Sequence, residues 1–122
     1  LPRLVYSTIV LTDRSRLDEI RPQMTFRLVD SPDAVKEQLG ITPAHVRAIR
    51  DAMRGGLANA APLIPDEWIE PFILLGDRDR IAAEIAELRD RHGFEGFVVL
   101  LADHTHPGDE ITLGADILAR LP

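Results

Sequence analysis

Cysteine is absent from the 122 residues, which removes disulfides, thiolate zinc sites, iron–sulfur clusters and cysteine nucleophiles at once. Aromatic residues are scarce at 5%, too few for the stacking platforms that hold single-stranded nucleic acids. Lysine is nearly missing as well: Lys36 stands alone and every other cation is arginine. Positive charge is the minority sign, with 14 basic against 20 acidic residues and a net charge of −6. The chain therefore lacks the cationic excess by which general nucleic-acid binders neutralise phosphates. Long hydrophobic runs are lacking too. Stretches such as Phe97 to Ala102 fall far short of the roughly 20 residues that cross a bilayer. No charged-then-apolar amino-terminal segment marks a secretion signal. These absences favour a cytoplasmic domain with neither nucleic acid nor membrane among its partners.

Apolar residues make up 45% of the chain, enough to pack a core and too many for a disordered segment. The length suits one domain. The chain opens on Leu1 and ends on Leu121-Pro122 directly after a helical pattern, which raises the expectation of a piece of something larger.

Leu4 to Leu11 (LVYSTIVL) is β-branched and apolar on both alternating faces, the habit of a parallel strand covered on both sides. Ser15 with Asp18 three residues on forms a weak capping box, and Leu17, Ile20, Met24 and Leu28 follow at helical spacing. Pro22 falls in the first turns of that pattern and predicts a late start or a kink. Ser31-Pro32 and Thr42-Pro43 each place a capping residue before a proline at the first helical position. Gly40 and Gly55-Gly56 close these helices, Val46, Ile49 and Met53 form an apolar stripe, and Pro65 to Pro71 encloses one more short helix. No strand candidate occurs from Ser15 to Glu70.

Phe72 to Leu75 (FILL) is the second strand candidate. Asp77 then stands as cap for a helix striped by Ile81, Ile85 and Leu88, with Gly93 just past its end. Phe97 to Ala102 (FVVLLA) is the third strand candidate, and Ile111, Ile117, Leu118 and Leu121 mark a last helix. Four segments follow: residues 1–14 as a strand, 15–71 as a helical insertion, 72–102 as a βαβ unit, and 103–122 as a polar loop and closing helix. Three strands are few for a parallel sheet, which needs cover on both faces and partners on both edges. The missing strands are expected upstream or from a second copy.

Phe72-Ile73-Leu74-Leu75-Gly76-Asp77, the helix Ile81 to Leu88, and Gly93-Phe94 leading into a strand resemble the carboxy-terminal part of luciferase-like flavin oxidoreductases. Gly40-Ile41-Thr42-Pro43, Val46 to Arg50, Leu63 to Ile69 and the final Ile117 to Leu121 are similar to the helical insertion and closing helix of that family. The nearest likeness is to its deazaflavin-dependent branch, which includes methylenetetrahydromethanopterin reductases. The resemblance covers nearly the whole chain and rests on the order and spacing of soft patterns. It implies an α/β fold, the carboxy-terminal portion of a TIM (β/α)8 barrel with three parallel strands and a helical insertion. It also implies hydride transfer between a deazaflavin coenzyme or FMN and a small organic substrate. A whole barrel needs roughly 250 residues, so the main cofactor contacts would lie outside this chain. The remainder of the barrel or a second subunit would then be a partner. The rival is a non-catalytic homologue or stand-alone interaction module that dimerises through exposed strand edges.

Titratable residues gather in one place, Asp103-His104-Thr105-His106-Pro107-Gly108-Asp109, after the last strand, where barrel active sites lie. Asp103, His104 and His106 have the chemistry to contact substrate or cofactor. Ligation of a metal together with Asp109 is less expected, because nothing on an irregular loop fixes both rings towards one point. A solvated connecting loop is the plainest reading. Gly76-Asp77 reads as a structural cap and not a phosphate cradle, since Asp77 and Asp79 set negative charge at that helix start. Gly55-Gly56 follows a helix and makes no dinucleotide fingerprint. No Gly-x-Ser-x-Gly elbow is present. Trp68 reads as a pin for its short helix and Tyr6 as a core residue, and neither His45 nor His92 calls for a role.

Overall fold

The computed structural model describes residues 3–100, 102 and 105–122. It is an α/β fold with three parallel strands and, among the described residues, seven α-helices. Two compact units divide the chain: Leu1–Ser15 with Phe72–Pro122, and Arg16–Pro71.

The first unit holds the sheet. Strand β1 (Val5–Leu11) lies at the centre, β2 (Ile73–Leu75) on one side and β3 (Gly96–Leu100) on the other. Tyr6 is level with Phe97 and Thr8 with Val99, while Val10 is level with Leu74. Side chains alternate along strands, so Tyr6, Val10, Leu74, Phe97 and Val99 share one face. Helices α6 (Arg78–His92) and α7 (Pro107–Ala119) cover that face. Ile81, Ala82, Ile85, Phe94, Leu113 and Ile117 join Val10 and Leu74 in a single core. Tyr6 stacks on Phe94 at 5.5 Å and meets Phe97 at 5.6 Å between ring centroids, a core tyrosine as its strand position suggests.

The opposite face behaves differently along its length. Ile9, Leu11 and Ile73 are buried, whereas Val5 is 52% exposed and Val98 47%. The expectation of strands covered on both faces holds for the carboxyl ends of β1 and β2 and not for β3. Thr8 donates its hydroxyl to the Phe72 carbonyl at 2.9 Å, which satisfies a buried polar group next to the β1–β2 pair.

The second unit is helical throughout. Helix α1 (Leu17–Val29) is followed by α2 (Asp33–Leu39), α3 (Pro43–Met53), α4 (Leu57–Ala60) and α5 (Asp66–Ile69). The α1 stripe falls where the spacing places it: Leu17, Ile20, Met24 and Leu28 are buried. The helix runs through Pro22 without a break. Thr42 and Asp77 cap α3 and α6 as expected, and Gly93 ends α6 in the left-handed conformation. Two serines act otherwise. Ser15 gives both its amide and its hydroxyl to Asp13 Oδ1 and builds a turn before α1 in place of the capping box. Ser31 donates to the Arg27 carbonyl, closing α1 from behind, while Pro32 takes the cap position of α2.

Candidate functional site

The carboxyl ends of the strands form the rim at which an α/β sheet presents ligand groups. At β1 this rim is Thr12-Asp13, at β2 it is Gly76-Asp77, and beyond β3 it includes Ala102 and the Thr105–His106 approach to α7. Each carboxylate of the first two turns already has work in the backbone. Asp13 Oδ1 accepts from Ser15 N at 2.9 Å and Oγ at 2.7 Å. Asp77 Oδ1 accepts from the Arg80 amide at 2.8 Å. Gly76 takes φ +152° and donates its amide to the Leu11 carbonyl at 3.2 Å, carrying the β1–β2 ladder into the turn. The leading amides of α6 thus face a fixed aspartate, and an incoming phosphate would meet negative charge there.

Of the three predicted site residues, Asp103 and His104 lie outside the described residues. His106 occupies the cap position of α7 and is exposed, and its carbonyl accepts from the Asp109 amide at 3.2 Å. Among the described residues no group of three or more His, Asp or Glu side chains is arranged to hold a metal ion.

Helix α7 shows what the apolar pattern alone does not decide. Leu113, Gly114 and Ile117 turn inward with Glu110, while Ile111 is 66% exposed and Leu118 42%. The helix carries two apolar stripes, and Gly114 selects between them. A β-carbon there would already lie 3.4 Å from Val99 Cγ2, so this is the side that comes closest to β3. The other stripe borders a groove of about 310 Å³ lined by Phe97, Val99, Ile111 and Leu118. Arg78 pairs with Asp116 at 3.1 Å, and Arg120 joins Asp79 at 2.8 Å, which fixes α7 against α6. The hydrogen bond to Asp79, with the charge of Asp116, raises the pKa of Arg120 further above its ordinary value.

In the helical unit a larger groove, about 480 Å³, runs between α2 and α3 over Ile41, Pro43 and Val46. Asp33, Lys36, Glu37 and Arg47 line it; their charges cancel, so the groove selects no ligand by sign. Next to it His45 tilts against Trp68 with centroids 5.2 Å apart. That contact is invisible to local spacing, although Thr42 and His45 stand at the interval of a capping box.

Compared with known protein families, curated proteins and solved structures, the chain matches none.

Proposed function

We propose that this chain is the carboxy-terminal part of a luciferase-like oxidoreductase, built as part of a TIM barrel, that transfers hydride between a deazaflavin or flavin cofactor and a small organic substrate. The supporting observation is a sheet covered by helices along one face and left partly open on the other. Helices α6 and α7 cover the face of Tyr6, Val10, Phe97 and Val99, while Val5 and Val98 stay open on the other. A barrel wall has helices outside and strand side chains turned to an interior that other strands complete. Asp13 and Asp77 at the rim do not fit a phosphate, so the cofactor's phosphate bed is assigned to other parts of the barrel. This chain supplies wall, the rim at Asp103, His104 and His106, and the closing helix. The test is made on the polypeptide as it occurs in the source cell: its intact mass, then titration with FMN and with a deazaflavin coenzyme followed by fluorescence. A mass near 250 residues and saturable binding of one of the two support the proposal. A native mass of 13.6 kDa with no binding of either sinks it.

A second function is favoured by a separate observation. Strand β3 carries no charged residue and no proline, the devices that normally protect a sheet edge. The exposed stripe of Ile111 and Leu118 lies beside it. A non-catalytic module would use this surface to pair with a second copy through β3. Sedimentation that stays monomeric across a wide concentration range excludes it.

A further inference from the structure

The first turn of α3 is closed by a histidine where such turns use glutamate or glutamine. Thr42 Oγ1 accepts from the His45 amide at 3.2 Å, and His45 Nδ1 accepts from the Thr42 amide at 3.1 Å. The pair satisfies two of the amides that every helix start leaves over. A glutamine carbonyl is an acceptor at any pH, whereas an imidazole nitrogen accepts only while it carries no proton. Histidine is also the side chain whose charge changes between about pH 5 and 8. The same ring rests on Trp68 of α5, inclined at 58°. Trp68 is buried and is the only tryptophan of the chain.

We propose that His45 is a proton-operated latch on the first turn of α3. Proton uptake at Nδ1 turns the acceptor of the Thr42 amide into a second donor, opens the capping box and shifts the ring on Trp68. Two effects act together: one N–H is made to face another, and a cation is placed at the positive end of a helix. Attraction between imidazolium and indole opposes departure from Trp68, so the bond to Thr42 breaks while the ring stays near the indole. One turn away along the chain lie Ile41 and Thr42 before α3 and Ala48 and Ile49 on it, none of them charged. Helix α5 carries Glu67 and Asp66, the latter held by Arg21. Helix α1 carries Asp18 and Glu19, paired with Arg21 and Arg16, and Arg27. Helix α4 carries no charge, and across the groove α2 carries Asp33, Lys36 and Glu37.

The test is an NMR and fluorescence titration of the full chain between pH 8 and 5. The Thr42 and His45 amides and the His45 ring should titrate with one midpoint. The Thr42 amide should lose its protection from exchange, and Trp68 emission should change over the same range. His45→Gln keeps an acceptor at every pH and should flatten the amide and emission transitions with the fold intact. His45→Ala should leave the Thr42 amide unprotected throughout. A ring that titrates while the Thr42 amide stays still overturns the latch, and so does a Trp68 transition that survives His45→Gln.

Discussion

In the sheet unit one continuous apolar cluster, from Val10 and Leu74 through Ile81 and Ile85 to Leu113 and Ile117, does most of the holding. Ion pairs there lie at the surface, and two of them join α6 to the α7 segment. In the helical unit the helices are mostly short, two of them a single turn, and none of those could persist alone. Ile20, Met24, Leu28, Ile49 and Ile69 are buried there too, and polar side chains add ties from backbone to backbone. Arg21, with a side chain only 13% exposed, donates to the Ile64 carbonyl at 2.6 Å and to Asp18 at 2.9 Å, and also pairs with Asp66. Burial by itself would lower the pKa of Arg21, but the hydrogen bonds and charges of Asp66 and Asp18 outweigh it and raise it. Arg50 reaches Asp30 at 3.1 Å, clipping α3 to the end of α1. Long elements close a core by area, whereas short ones need directed contacts to fix their ends.

If that contrast is right, truncating the sheet core has the largest effect. Ile85→Ala removes a side chain that is 1% exposed at the centre of the cluster. Such changes cost about 2–5 kcal/mol through lost transfer energy and the cavity left behind. Calorimetric melting of the variant measures it. A loss under about 1 kcal/mol would show that the cluster collapses onto the gap and is not closely packed.

Arg21→Met should come next, at about 1–3 kcal/mol, because the Ile64 carbonyl and Asp66 lose a charged donor while the aliphatic stem is kept. Chemical denaturation of the wild type and variant gives the difference. Arg91→Ala, which breaks an exposed pair with Glu87, should be close to neutral. Equal effects from the two would remove the distinction between a directed tie and a solvated pair.

The same contrast explains what the sequence disclosed. The buried faces of both units were legible because strands and helices have periods that sort side chains by face: Ile81 and Ile85 in the sheet unit, or Ile20 and Met24 in the helical one, could go nowhere else. Helix ends were legible where one residue has one geometric use, as with Thr42, Asp77 and Gly93. They were misread at Ser15 and Ser31, whose hydroxyls have several backbone partners within reach. Strand order was not legible. Phe72 to Ala102 reads as one βαβ unit, and β2 and β3 are indeed parallel and joined by α6, yet β1 lies between them. Pairing between distant segments depends on register and cover, which periodicity does not encode. The candidate rim was legible only as composition: His106 takes an exposed cap position, while Asp103 and His104 lie outside the described residues. The His45–Trp68 contact joins two separate helices, and no spacing rule reaches that far.

Two glycines sharpen the comparison at smaller cost. Gly40 ends α2 at φ +73°, where any β-carbon is strained, so Gly40→Ala should destabilise the helical unit by about 1 kcal/mol. Gly114 lies within α7 in ordinary helical conformation, and an added methyl would meet Val99 at normal contact distance. Gly114→Ala should therefore be neutral or stabilising by up to about 1 kcal/mol, from helix propensity. Opposite signs in melting temperature are expected. A clear loss at Gly114 would mean that α7 packs on Val99 more tightly than this contact distance allows.

The smallest expected effect is at His106. It is exposed at the cap position of α7. His106→Ala should therefore change stability by no more than about 0.5 kcal/mol, the usual range for surface positions. If His106 lies at a substrate-binding rim, the variant should raise KM or lower kcat in the complete enzyme by the equivalent of about 1–3 kcal/mol, with folding unmoved. A metal-bound loop behaves in the opposite way, because metal affinity adds directly to folding free energy. Chelator would then lower the melting temperature of the wild type, zinc would restore it, and His106→Ala would abolish both responses. Melting curves with and without chelator decide between these, and the expected result is that chelator leaves the wild-type curve in place.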